Sequence, residues 1–261
     1  MNTNRNNHPT DHVSVSQINL YLMCPLKYRF VYVEKLPRPF KPIELALGTA
    51  FHAAVEWWHK RRKNGSSPSA EDVARILAAD LRAQAEEKLR FKNGESLDDV
   101  IEVGGKLASA YVKSYRGKPV QDTEVSFRVP LVDLETGEDL GLPLDGCYDL
   151  LETDHTVVEI KTAARAYDNL KILNHLQLTA YGYAYRMLYD REPNLRIDVV
   201  TKTKNPRLQS VEVYRDKSDM VRFFHLAKSV CRSISSSCFH PNYGWQCGNC
   251  EFAEPCRRWR G

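Results

Sequence analysis

The chain has 261 residues, 43% of them hydrophobic, enough to bury a sizeable core in one large domain or two small ones. No apolar stretch approaches the roughly 20 residues that span a bilayer, and the polar opening "MNTNRNNHPTDH" carries no apolar signal region, which argues against a membrane or secreted protein. The formal charge of +4 permits a polyanionic partner without demanding one, and seven cysteines, an odd number, fit a reducing cytoplasm better than a disulfide framework.

Residues 14–33 open with Ser14 and Gln17 at capping-box spacing, followed by Ile18, Tyr21 and Leu22 at helical spacing, and Pro25 forces a break or kink. Residues 44–63 read as a second helix whose apolar face uses Leu47, Phe51, Val55 and Trp58. "NGSSPSA" is a loop, and 71–92 and 98–116 are two further amphipathic helices. The period then changes to two. Val125, Phe127, Val129 and Leu131 alternate in "EVSFRVPLV", "TGED" is a turn, and "LPLDGCYDLLE" and "HTVVEIKT" are two more strands turning near Thr153 and Asp154. Residues 168–189 return to helix, "RIDVVTKT" and "SVEVYR" are strands, and 216–236 is a last long helix. This order predicts an α/β fold: a mixed central sheet flanked by helices, with a helical N-terminal part packed onto it. No linker separates independent units, so 1–261 reads as one domain, with a helical part at 14–120, a sheet core at 121–215 and a helix and tail at 216–261.

Within "VVEIKTA", residues 157–163, Glu159 and Lys161 fall on one face of a strand while Val158 and Ile160 fall on the other. E-x-K is a common tripeptide, and a cross-strand ion pair on an exposed face is its plain alternative. The preceding strand carries Asp149. It lies five positions before Asp154, and Glu159 lies five after, so a hairpin turning at Asp154 sets the two carboxylates opposite one another. Two carboxylates and a backbone carbonyl are hard oxygen ligands suited to Mg²⁺ or Mn²⁺. A lysine beside them can orient a water or stabilise charge on a phosphate. A purely structural Asp–Lys–Glu network is the competing reading.

Taken together, "GCYD", "VVEIKTA", "QLTAYGYA" and the upstream "GTAFHAAVE" resemble the PD-(D/E)xK nuclease superfamily, in particular its RecB/AddB-like branch and the CRISPR-associated RecB-like exonucleases. The pattern G-x-x-D, (D/E)-x-K, Q-x-x-x-Y falls on Gly146 and Asp149, Glu159 and Lys161, and Gln177 and Tyr181; the G-x-x-x-H context falls on Gly48 and His52. The resemblance runs over about residues 14–258. It implies a restriction-endonuclease-like fold. It also implies that Asp149, Glu159, the carbonyl of Ile160 and His52 hold a metal, that Lys161 helps activate water, and that Gln177 and Tyr181 hold the site or the substrate backbone. Gln177 and Tyr181, like His52 and Glu56, are four apart and share a helix face, so Glu56 is a further candidate. Glu124 is an open one, balanced against a solvated strand end.

Cys247, Cys250 and Cys256 form C-x2-C-x5-C, and Cys24 lies far upstream. This resembles the iron–sulfur signature of the AddB-like branch. Four thiolates suit a [4Fe–4S] cluster or Zn²⁺; the single C-x2-C knuckle favours the cluster, with a structural role of stapling the chain ends in a C-terminal iron–sulfur region. Cys147, Cys231 and Cys238 match no part of the pattern.

Lys202, Lys204 and Arg207, then Lys27 and Arg29 with Tyr28 and Phe30, then Arg257, Arg258 and Arg260, form basic and aromatic groupings suited to single-stranded DNA, though any one of them is as readily a solvated charge. The chain carries no G-x4-G-K-[ST] loop. The expected activity is therefore a Mg²⁺- or Mn²⁺-dependent DNA exonuclease acting on single-stranded ends in repair, recombination or CRISPR adaptation. It works alone or beside a separate helicase, recombinase or CRISPR adaptation protein. The alternative is a non-catalytic DNA-binding or assembly subunit that keeps the fold and the cluster.

Overall fold

The computed structural model describes residues 10–86, 88–92 and 94–261; most of the polar opening stretch and Glu87, inside the helix expected over 71–92, lie outside these. The chain starts with α1 (Val15–Met23), capped by the reciprocal Ser14–Gln17 box. Pro25 opens a short α2 (Pro25–Tyr28), which runs into a π-helical turn at Arg29–Val33. The long α3 (Ile43–Lys63) buries Ala46, Ala50, Phe51, Ala54 and Val55, and four basic residues in its last turn complement its carbonyl end. Two more helices, α4 (Ala70–Gln84) and α5 (Leu97–Ser114), each begin at a serine–aspartate capping box.

The expected helix over 71–92 stops at Gln84. Leu89 and Arg90 instead form a short strand, β2, parallel to β1 (Lys41–Pro42). Leu89 continues the apolar spacing of α4, which is why the sequence read as helix; it packs partly buried against the α3–α5 core instead.

The main sheet has five strands in the order β3-β4-β5-β6-β7: β3 (Val120–Val132), β4 (Asp139–Glu152), β5 (Thr156–Ala163), β6 (Asn194–Thr201) and β7 (Leu208–Val213). The first three form the expected antiparallel meander. A crossover through α6 (Asn169–Leu173) and α7 (Leu176–Tyr189) brings β6 parallel to β5, and β7 returns antiparallel. The single helix expected over 168–189 is thus two, broken where His175 adopts an extended backbone. Then follow α8 (Lys217–Ser235), a 3₁₀ turn at Trp245–Cys247 and α9 (Ala253–Arg258).

Each face of the sheet carries its own core. Val157, Tyr148 and Leu151 pack with α1, α7 and α8, while Val158, Ile160 and Leu150 pack with α3 and α5. Burial on both faces explains why Thr156–Ile160 are all buried instead of alternating with exposed positions. A third, small cluster joins Leu26 and Phe30 to Phe252, binding the C-terminal segment to α2.

Candidate active site

The site grows out of a fork between β4 and β5. The two strands pair in register only at Leu150 with Val158 and Leu151 with Val157. Continuing that register would put Asp149 opposite Glu159, as the hairpin count predicts. Instead the strands part there, and the ladder position is taken by a side chain: Asp149 Oδ2 accepts a hydrogen bond from the Ile160 N–H at 2.6 Å. An orphaned strand amide is thereby satisfied, and a partly buried carboxylate is fixed at the mouth of the fork.

Glu159 and Lys161 share the face of β5 that looks toward α7. Glu159 is fully buried. Its neighbouring cation is the Lys161 ammonium, with which it forms an ion pair. Lys161 is oriented in turn by a directional chain. Its Nζ donates to Gln177 Oε1 at 3.3 Å, Gln177 Nε2 donates to Tyr181 Oη at 2.8 Å, and Tyr181 Oη donates to the Cys147 carbonyl at 2.5 Å. The i, i+4 pair on α7 therefore anchors on the backbone of β4 and aims an amide oxygen at the lysine.

Electrostatics follow from burial. Desolvation pushes the Asp149 carboxyl up to about 7. Burial, with Asp149 alongside, pushes Glu159 up to about 7. Burial opposes the charge on Lys161, but Glu159 and Asp149 outweigh it and hold its pKa above the usual lysine value. Lys161 is thus a fixed cation. His52 on α3 is pushed below the usual histidine value by burial and by Lys161, so its ring is poised as a neutral ligand.

His52 Nδ1 stands 3.8 Å from Asp149 Oδ1. His52, Asp149 and Glu124 place one ligand atom each within 4.8 Å of one another. Glu124, the open candidate, lies opposite Asp149 in the β3–β4 register, between the pairs Thr123–Leu150 and Val125–Tyr148. Its φ of 49° is a left-handed conformation that a glutamate adopts at a cost of about 1–3 kcal/mol. Glu56 goes elsewhere, pairing with Lys60 at 2.5 Å. An imidazole, two carboxylates within reach of one another, and the fully buried Glu159 carboxylate beside Asp149 together form a donor set that fits a divalent cation.

A sequence profile of the PD-(D/E)XK nuclease superfamily matches residues 12–257. The chain belongs to the PD-(D/E)XK nuclease superfamily. Among relatives of this PD-(D/E)XK chain, the Gene 69 protein of Mycobacterium phage D29 is 30% identical over 198 residues, covering 69% of this chain and 70% of that protein. The crystal structure of a candidate exonuclease from Eubacterium rectale overlays on it with a TM-score of 0.60 at 13% identity, covering 100% of this chain and 94% of that one. At that identity the likeness shows the fold, a restriction-endonuclease-like mixed sheet flanked by helices. Family and fold together support a nuclease.

Cys24, Cys247, Cys250 and Cys256 line one cavity of about 170 Å³ with Leu26, Phe30 and Phe252. The C-terminal segment is also tied to α2 independently of them, by Leu26 N–H to the His240 carbonyl at 3.0 Å and Lys27 to Glu251 at 2.7 Å. Cys231 is buried in the core on α8, Cys147 lies on β4, and the cavity is lined by neither Cys147 nor Cys238.

The expectation that Tyr28 and Phe30 stack on bases is corrected. Tyr28 is fully buried and Phe30 nearly so, one packing on Tyr21 and Phe239, the other on Phe252. Their basic neighbours in the sequence gave the wrong impression. Among the described residues the exposed aromatics are Tyr189, Tyr214, Tyr243 and Trp245, none of which the sequence pattern singles out. Lys202 follows β6 beside the open end of β5, its amide donating to the Ala163 carbonyl. Arg257, Arg258 and Arg260 are exposed, as are Lys204 and Arg207.

Proposed function

We propose that this chain is a divalent-metal-dependent deoxyribonuclease, an exonuclease acting on single-stranded ends. The observation that carries the reading is the fork, where Asp149, Glu159, Lys161 and His52 converge at the parting of β4 and β5. Asp149, Glu159, His52 and the Ile160 carbonyl would hold the metal, and Glu124 joins them on geometry. A histidine among oxygen donors favours Mn²⁺ relative to Mg²⁺. When bound, such an ion polarises the phosphate and lowers the pKa of a coordinated water.

The protein's own residues supply the rest. Because Lys161 is held charged, it orients water and stabilises phosphate charge instead of accepting a proton. Gln177 and Tyr181 fix the Lys161 ammonium within the site. The basic residues beyond the sheet edge, Lys202, Lys204 and Arg207, suit the phosphates of the strand. With no P-loop pattern in the sequence, strand separation would come from a partner such as a helicase or recombinase. No helix among the described residues is long and apolar enough to cross a membrane, and a reducing cytoplasm suits seven unpaired thiols. We read the chain as one nuclease domain, since both cores share one sheet.

The four cysteines in turn suit a [4Fe–4S] cluster. Its role would be to staple the tail to α2, away from the fork.

The decisive experiment digests 5′- and 3′-labelled single- and double-stranded DNA with Mg²⁺ or Mn²⁺. Progressive shortening of single strands, abolished by chelation, is expected. No cleavage by anaerobically purified, iron-loaded protein would refute the reading.

A further inference from the structure

Lys161 and Gln177 also line a second space, a cavity of about 540 Å³ between α1 and the corner where α6 meets α7. That volume lies within the range of small-molecule sites. Its walls are of three chemical kinds. Leu170 and the ring of His175 are apolar or flat, Asn19 and Gln177 offer amides, and Lys161 and Lys171 bring ammonium groups. Asp168 is the one carboxylate on the lining, and it is engaged as the cap of α6, accepting from the Lys171 N–H at 2.8 Å.

Two of these residues stand out. Leu170 is 69% exposed although it sits on an ordered helical turn. His175 occupies the break between α6 and α7, caps neither helix with its side chain, and keeps Nδ1 buried without a partner among the described residues. Its ring lies 6.2 Å from that of Tyr167, and Lys171 Nζ sits 3.7 Å above the same tyrosine ring. Burial pushes the imidazole down to about 4, so the ring is neutral beside the Lys161 cation. A flat neutral ring, an aliphatic wall, amides and an ammonium are what a nucleotide with an unstacked base requires.

We propose that this cavity receives one unpaired nucleotide of the substrate strand, adjacent to the scissile phosphate, with its base against His175 and Leu170 and its phosphate toward Lys171. The inference rests on the nuclease reading and gives that reading a source of single-strand preference. A paired base must leave its stack, at a cost, before it can enter such a pocket.

The test uses the full chain on labelled single-stranded oligonucleotides in which one abasic residue is moved stepwise along the sequence. In the wild type, the missing base should lower kcat/KM at the adjacent bond by roughly 5- to 150-fold, the range of one base–ring stack, and leave distant bonds alone. His175→Ala should lose a similar factor on intact DNA and lose nothing further on the abasic strand, while His175→Phe keeps most of the activity. Leu170→Ala, at an exposed position that the core does not need, should show a smaller loss in the same direction. Penalties that simply multiply, or wild-type kcat/KM in both alanine variants, would overturn the subsite and leave the nuclease standing. A wild type that cuts no DNA overturns the nuclease reading, and the subsite with it.

Discussion

Gly146→Ala tests why the motif begins with glycine. Gly146 pairs with Phe127 in the β3–β4 register, and an added Cβ would fall within 2.9 Å of three Phe127 ring atoms, closer than the 3.0 Å that real Cβ contacts respect. The ring has little room to retreat. It is 7% exposed, with its centroid 4.8 Å from that of Tyr148 and 6.2 Å from that of Tyr181. Overpacking of this kind costs about 1–3 kcal/mol. In a chain of this size each kcal/mol moves Tm by roughly 2–4 °C, so a fall of roughly 2–12 °C is expected by circular dichroism. Activity should fall further than stability. A ring driven toward Tyr181 disturbs the chain through Gln177 to Lys161, and misplacement by about 1 Å can cost on the order of 100-fold in rate. Adding Phe127→Leu should recover much of both losses. A double variant no better than Gly146→Ala alone, or an unchanged Tm and rate in the single variant, would refute this account of the glycine.

Asp149→Ala, Glu159→Ala and Lys161→Ala should each abolish cleavage in folded protein; near-normal cutting by Lys161→Ala, assayed on labelled single strands, would sink the mechanism. Because burial raises Asp149 and Glu159 to about 7, each binds its proton more tightly folded than unfolded. The metal-free fold therefore gains stability from them below about pH 4 and loses it as pH rises through about 7. Melting in chelator should accordingly show a decline between about pH 4 and 7 that shrinks in Glu159→Gln and is offset by added Mn²⁺. A decline just as steep in Glu159→Gln would contradict this. If the proposed cluster forms, Cys24→Ala should lower iron content and Tm together, since it would supply the ligand from the far side of the longest loop, whereas Cys238→Ala should leave iron content unchanged. Stoichiometric zinc without iron, in protein made anaerobically with iron supplied, would refute the cluster.

The sheet core was legible because period-two patterning and turn residues are local signals, and the count about Asp154 set Asp149 against Glu159 from sequence alone. What it did not reveal is that the strands part at that level, since divergence depends on what fills the gap. The end of α4 was misplaced because Leu89 continues a helical stripe while satisfying a contact in another element. Tyr28 and Phe30 were misassigned because sequence proximity to Lys27 and Arg29 says nothing about which way a buried ring points. The role of Glu124 depended on a left-handed backbone and a register that no single-sequence pattern encodes.

Beyond the fork, the edge of β4 that β5 abandons is not left bare. Val13, 2% exposed, bridges to Leu144 in parallel, its N–H donating to the Pro143 carbonyl at 2.8 Å and its carbonyl accepting from the Asp145 N–H at 2.9 Å. A single residue from before α1 thus stands as a wedge where a strand would otherwise zip shut. Its attachment is two hydrogen bonds deep, so it can detach in a local fluctuation long before the sheet unfolds. The amide protons of Val13 and Asp145 would then exchange with solvent together, faster than those of β5 and β6. Their common rate would clock how often the cleft is free to change its width.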